Sequence, residues 1–222
     1  MGKRSLIFIL FCLLSATLWG CQDKQTDGLR FKREYEALNG QKSEEGRSYP
    51  EMTIPDDSTV IYEDGEKILE SLENGTHVVY MGWPECPYCR SALPVLLEAV
   101  SNHKGVNIHY YNIKAAREAY ESGKNSSLAE TYEKIIAALN RDDFDLSDYV
   151  NFYDDGTIRY PSSLILFIRE GEIVAAHRRT VASQLDGYEP LSSSQRAELL
   201  EIYEDCLGEM LRDIRPGCNI DC

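Results

Sequence analysis

The 222-residue chain predicts one α/β domain: a central mixed sheet flanked by helices, with an N-terminal extension and a helical insert. Two observations carry this. From residue 59 onward, short apolar strand-like runs alternate with segments of helical period, and strands joined by crossover helices run parallel. Near the end, two strand-like runs are separated only by Glu170-Gly171, which forces an antiparallel hairpin. A hydrophobic content of 43% supplies a packed core and excludes a wholly disordered chain.

Residues 22–28 are polar and form a tether. Phe31, Tyr35 and Leu38 recur at helical spacing, and Asn39-Gly40 stops that helix. It is expected to pack on the domain, with free solvation as the alternative. Residues 41–58, rich in Ser, Glu, Asp, Gly and Pro, form loop. Residues 59–62 make a short strand. Ile68, Leu69 and Leu72 share one face of a helix over 65–72, which Asn74-Gly75 ends. Residues 77–81 are a continuous apolar strand of the kind buried on both faces. A helix over 91–100 turns Leu93, Leu96, Leu97 and Val100 inward, and 106–113 is a third strand.

The insert, 114–150, holds two polar helices, 115–121 and 127–140, the second with Tyr132, Ile135, Ile136 and Leu139 on one face. Residues 163–169 and 172–177 are the hairpin strands. A last helix opens at Ser192, with Ser193 or Ser194 as its cap, and runs to about 211; Leu199, Leu200, Ile202, Tyr203 and Leu207 form its apolar face. The domain spans 59–222, and residues 213–222 form a Cys-containing tail.

The net charge of −14 argues against nucleic-acid binding, which needs a basic face. Lys3 and Arg4, the apolar run 6–14 and the small residues after it have the layout of an export signal over 1–20. Leu18-Trp19-Gly20-Cys21 resembles the lipobox of bacterial lipoproteins, in which the Cys is acylated and becomes the mature N-terminus; an ordinary cleaved signal is the alternative. The resemblance implies that Cys21 is a lipid anchor holding the protein on the extracytoplasmic face of the cell membrane. Losing 1–20 removes two positive charges and Cys12, so five thiols remain besides Cys21: Cys86, Cys89, Cys206, Cys218 and Cys222. All would lie where disulfides persist.

The chemistry is expected in Trp83-Pro84-Glu85-Cys86-Pro87-Tyr88-Cys89, between the second strand and the following helix. Two Cys separated by two residues can close a small disulfide ring. The N–H groups and positive dipole end of a helix start favour a thiolate. Cys86, nearer the exposed helix start, is the expected nucleophile and Cys89 the resolving thiol. Pro87 suits the first helical turn, where its missing N–H has no partner.

These residues resemble the thioredoxin superfamily, for which a C-x-x-C beside a βαβ pattern is a recognised mark. Trp83 before the motif, Pro94 five residues after Cys89, and Tyr160-Pro161 ahead of the strand 163–169 extend the likeness over about 58–212. The resemblance implies a cis Tyr160–Pro161 bond opposite the dithiol, presenting the Tyr160 backbone to an incoming peptide. Trp83 and Tyr88 are candidate substrate contacts, with a rim role around the dithiol as the alternative. The phrase from Gly82 to Arg90, the insert and the late hairpin are similar to Gram-positive bacteriocin transport accessory-type thioredoxin domain proteins.

Tyr80 stands six residues before Cys86, where thioredoxin carries a buried carboxylate; a phenol is no ready base near neutral pH, so Glu85 or a water must relay the proton, or the exchange is slower. Glu85 is expected to raise the Cys86 pKa against the helix dipole. Cys-Pro-Tyr-Cys is the glutaredoxin-type pair, but no glutathione-site signature accompanies it.

The implied function is a membrane-anchored thiol–disulfide oxidoreductase acting on protein or peptide disulfides, served by a membrane redox partner; a peptide-export accessory or binding module with secondary redox activity is the rival. No cofactor and no metal is assigned. Zinc held by Cys86, Cys89, Cys218 and Cys222 is the competing use of the pair, against which the Pro-Tyr spacer, the helix start and Pro161 weigh. Cys206 is expected buried, and Cys218 and Cys222 to bridge each other or one of them Cys206, with a second redox pair or a free or intermolecular thiol as alternatives. His77, His103, His109 and His177 are scattered and are assigned no catalysis.

Overall fold

In the computed structural model, which describes residues 26–142 and 144–212, short polar side chains decide where most helices begin. Thr26 caps α1 (Asp27–Glu36), accepting from the Leu29 N–H. Asp64 caps α2 (Gly65–Glu73) and Cys86 caps α3 (Pro87–Ser101). In the insert, α4 (Lys114–Glu121) has no side-chain cap and α5 (Ser127–Leu139) has Ser126. The last helix, α6 (Ser193–Met210), is capped by Ser192 and not by Ser193 or Ser194. Gln195 decides this, because its side chain accepts the Ser192 N–H at 2.9 Å while its own N–H reaches the Ser192 hydroxyl.

The main sheet has the order β1 (Val60–Tyr62), β3 (Ile108–Asn112), β2 (His77–Gly82), β6 (Leu164–Arg169), β7 (Glu172–Arg178). The first three run parallel; β6 pairs antiparallel with β2, and β7 antiparallel with β6. This is the mixed thioredoxin-like arrangement that the strand–helix order implies. The β6–β7 turn has positive φ at both Glu170 (51°) and Gly171 (82°), as a two-residue hairpin requires. At Gly171 any β-carbon would also collide with the Glu73 carbonyl, so this turn lies against the end of α2. A second small hairpin, β4 (Asn151–Phe152) with β5 (Ile158–Arg159), follows α5. Two-residue strands carry no period, which is why the sequence does not announce them.

Alternation along the strands splits the core into two layers. Val78 and Tyr80 of β2 face the layer holding α1, α3 and α6, whereas Val79 and Met81 face α2 and α5. The N-terminal helix packs on the domain, with Phe31 and Tyr35 fully buried and Leu38 half-buried. Met52 and Ile54 of the following loop are buried beside them. Burying a side chain of this size contributes roughly 1.5–3 kcal/mol, so the extension is part of the folded unit. Among the described residues, no helix is long and apolar enough to cross a membrane. The predicted signal, Cys21, and the Cys218 and Cys222 tail lie outside the described residues.

Candidate active site: a dithiol at a helix start

Strand β2 ends at Gly82, and the chain makes one turn through Trp83, Pro84 and Glu85 before α3 begins at Pro87. Cys86 is therefore the N-cap, and its sulfur accepts the Cys89 N–H at 3.1 Å. Pro87 occupies the first turn, as expected, and α3 continues unbroken through Pro94. Cys86 and Cys89 are both free thiols. Neither is open to solvent: Cys86 is 3% exposed and Cys89 is fully buried. The nucleophile thus lies deeper than a helix-start position suggests, and Ser162 of the segment before β6 reaches it.

Burial pushes the Cys86 thiol up, but hydrogen bonds overcome it. They come from the Cys89 side chain, the Ser162 hydroxyl and the backbone N–H groups of Cys89 and Tyr88, and they hold Cys86 below the usual thiol range. Cys89 goes the other way. Burial raises it well above the usual range, reinforced by its hydrogen bond and charge interaction with Cys86, and the Tyr80 hydroxyl and Trp83 backbone only partly oppose this. The pair therefore divides its roles by environment: Cys86 is the more readily ionised thiol, and Cys89 holds its proton more tightly. This is a redox-type dithiol of the kind thiol–disulfide oxidoreductases use.

Glu85 is not among the main influences on the Cys86 thiol. It is exposed, lining a surface cavity of about 500 Å³ with Glu34, Tyr62, Pro84 and Lys114, while burial and hydrogen bonds set the Cys86 pKa.

The segment 160–163 departs from expectation as well. No cis peptide bond occurs among the described residues, so the Tyr160–Pro161 bond is trans. Tyr160 is fully buried and held on every side: its N–H donates to the Tyr132 hydroxyl at 2.9 Å, its carbonyl accepts from Arg117 at 3.4 Å, and its hydroxyl donates to the Leu164 carbonyl at 3.1 Å. Its backbone is engaged within the protein. The residue of this segment that reaches the dithiol is the half-buried Ser162. No motif in the sequence marks Ser162; its place directly after Pro161 is the one signal there.

Trp83 is half-buried, packs on both core layers, and has the Arg117 guanidinium 4.9 Å from its ring centre. Tyr88 is half-buried on the other side, its hydroxyl donating to the Leu185 carbonyl at 3.1 Å and its ring lying against Gly187. The four His lie outside the dithiol's contacts; His103, for example, meets Glu204 at 2.7 Å and His177 the Thr180 carbonyl at 2.9 Å. Cys206 is half-buried on α6, and burial, with Asp205 and Glu209 nearby, pushes it up to about 11. In comparisons with known proteins, no family model, no curated protein and no solved structure matches the chain, so its likeness to thioredoxin-like proteins rests on the fold and the dithiol.

Proposed function

We propose that the chain is a membrane-anchored, extracytoplasmic thiol–disulfide oxidoreductase that acts on disulfides of proteins or peptides. The observation that carries the redox reading is the opposed environment of the two thiols, with Cys86 held low and Cys89 held high. The lipobox-like Leu18-Trp19-Gly20-Cys21 supports the anchor and the location, and the similarity to bacteriocin transport accessory-type proteins supports exported disulfide-containing peptides as substrates.

The Cys86 thiolate attacks one sulfur of a substrate disulfide, and the other leaves as a thiolate. Cys89 then attacks the Cys86 sulfur of the mixed disulfide, closes the Cys86–Cys89 bond and releases the second substrate thiol. Oxidation of a substrate dithiol is the same path reversed. Trp83 and Tyr88 border the attack site, and Ser162 stabilises the thiolate that begins it.

Insulin reduction with wild type and Cys86→Ala tests the activity. Turnover by wild type alone is expected; equal turnover by both eliminates the enzyme reading in favour of a binding module. Labelling with a radioactive fatty acid tests the anchor, where label carried by wild type and absent from Cys21→Ala is expected.

A further inference from the structure

Behind the dithiol lie three buried tyrosines from distant parts of the chain: Tyr80 on β2, Tyr110 on β3 and Tyr35 on the N-terminal helix α1. Their hydroxyls form a chain. Tyr80 and Tyr35 are 3.3 Å apart, Tyr35 donates to Tyr110 at 3.5 Å, and Tyr110 donates to the Gly82 carbonyl at 3.4 Å. At its other end the chain meets the resolving thiol. The Tyr80 hydroxyl and the Cys89 sulfur both lie over Gly82, where a β-carbon would collide with the hydroxyl and sit 3.1 Å from the sulfur. A side-chain hydrogen bond joins the two groups. Burial raises all three phenols well above their usual range, so they stay protonated and act as donors, not bases.

A hydroxyl has one proton to give and lone pairs to receive, and it rotates freely between partners. While Cys89 is a thiol, Tyr80 can donate to Tyr35, Tyr35 to Tyr110 and Tyr110 to the Gly82 carbonyl. When Cys89 ionises, rotation of two hydroxyls reverses the first link: Tyr80 donates to sulfur and Tyr35 to Tyr80, while Tyr110 keeps its carbonyl. No heavy atom moves and no tyrosine loses a proton. A buried thiolate otherwise has few donors, and an unpaired buried charge is costly.

We propose that Tyr80 is a further catalytic residue, whose hydroxyl donates a hydrogen bond to the Cys89 sulfur as that sulfur becomes a thiolate, and that Tyr35 is the positioning residue that frees the Tyr80 proton for this. The proposal rests on the oxidoreductase reading of the same dithiol. It applies at resolution. The Cys89 sulfur bonds to the Cys86 sulfur, the bond between Cys86 and the substrate breaks, and the substrate sulfur leaves with the electron pair and takes up the proton Cys89 gave up. The dithiol loses the two electrons that the substrate disulfide gains. The N-terminal extension thereby belongs to the active site. Arg90, the residue after Cys89, holds it there by donating to the Tyr35 carbonyl at 2.6 Å.

The test is single-turnover reaction of the full chain with dithiobis(nitrobenzoate), which releases one coloured thiol when Cys86 reacts and a second when Cys89 resolves. The Cys89→Ser form of each variant supplies the signal of the other thiols. Tyr80→Phe is expected to slow the second release about tenfold near neutral pH and to raise its pH midpoint by about one unit. Tyr35→Phe is expected to slow it about threefold, with no further loss when added to Tyr80→Phe. A lost packing contact would lower stability without moving the midpoint. Wild-type rate and midpoint in Tyr80→Phe overturn the proposal, as does a Tyr35→Phe effect undiminished in the double variant. If Tyr80→Phe does not fold, Tyr35→Phe decides alone, and an unchanged rate and midpoint overturn the proposal. Absence of any second release from wild type would instead sink the oxidoreductase reading, a result distinct from release that Tyr80→Phe leaves intact.

Discussion

Replacing Ser162 by Ala removes one of the donors that hold the Cys86 thiolate. A hydrogen bond to a charged group contributes about 1.5–3 kcal/mol. Ser162 is half-buried, so water replaces part of the loss, and the low end applies. About 1.4 kcal/mol is one pKa unit, so the Cys86 pKa should rise by about one. Burial and the Cys89 and Tyr88 N–H groups are untouched, and the sign is therefore upward. The rate follows from two opposed effects. Well below the pKa, one unit cuts the thiolate fraction about tenfold, while the more basic thiolate is about threefold more nucleophilic at a Brønsted slope of roughly 0.4–0.5. Alkylation by iodoacetamide should be about threefold slower at low pH and about threefold faster above the new midpoint, with the two pH–rate curves crossing. The same measurement on Cys86→Ala subtracts the other thiols, and Cys206, pushed up to about 11, adds little near neutral pH. An unchanged or lowered midpoint would refute the assignment of Ser162. Equal loss at every pH would show a structural effect instead.

Arg90→Met should destabilise the fold by about 3–5 kcal/mol in urea denaturation, since it removes the charge-assisted hydrogen bonds of a fully buried guanidinium to three acceptors. These are the carbonyls of Pro50 at 2.7 Å and Tyr35 at 2.6 Å, and the Asn39 side chain at 2.6 Å; a loss under about 1 kcal/mol would show that the extension is not anchored through this residue. His177 is held below its usual pKa by burial, against the Thr180 carbonyl. The unfolded chain takes up that proton from about pH 6.5 downward, before the folded protein does, so stability present above that pH is lost as pH falls through the lower folded-state value. Urea midpoints from about pH 7.5 to about pH 5 should therefore fall less steeply in His177→Gln, which keeps a donor for Thr180; identical slopes would contradict the burial argument.

Local patterns carried much of the fold. The unbroken apolar run at 77–81 marks the central strand, Glu170-Gly171 marks the hairpin, and Phe31 and Tyr35 at helical spacing mark a helix that does pack. The dithiol was legible for the same reason: two Cys, a Pro that suits a first helical turn and a preceding strand are all local facts. The cap at Ser192 and the strands at 151–152 and 158–159 were harder, because three adjacent serines look alike until Gln195 chooses one, and two-residue strands have no period.

The sequence by itself thus determined the order of strands and helices and the place of the thiol pair, because periodicity, turns and short motifs act over a few residues. Only the tertiary structure decided what surrounds those thiols. Ser162 reaches Cys86 from the segment before β6, and the Tyr35 hydroxyl meets residues 45 and 75 positions away. Tyr160, expected to face a substrate, is instead held inside by Tyr132 and Arg117. Hydrogen bonds and desolvation act through space, and they make Cys86 easier to ionise than Cys89, a division that two cysteines separated by two residues do not carry in their spacing.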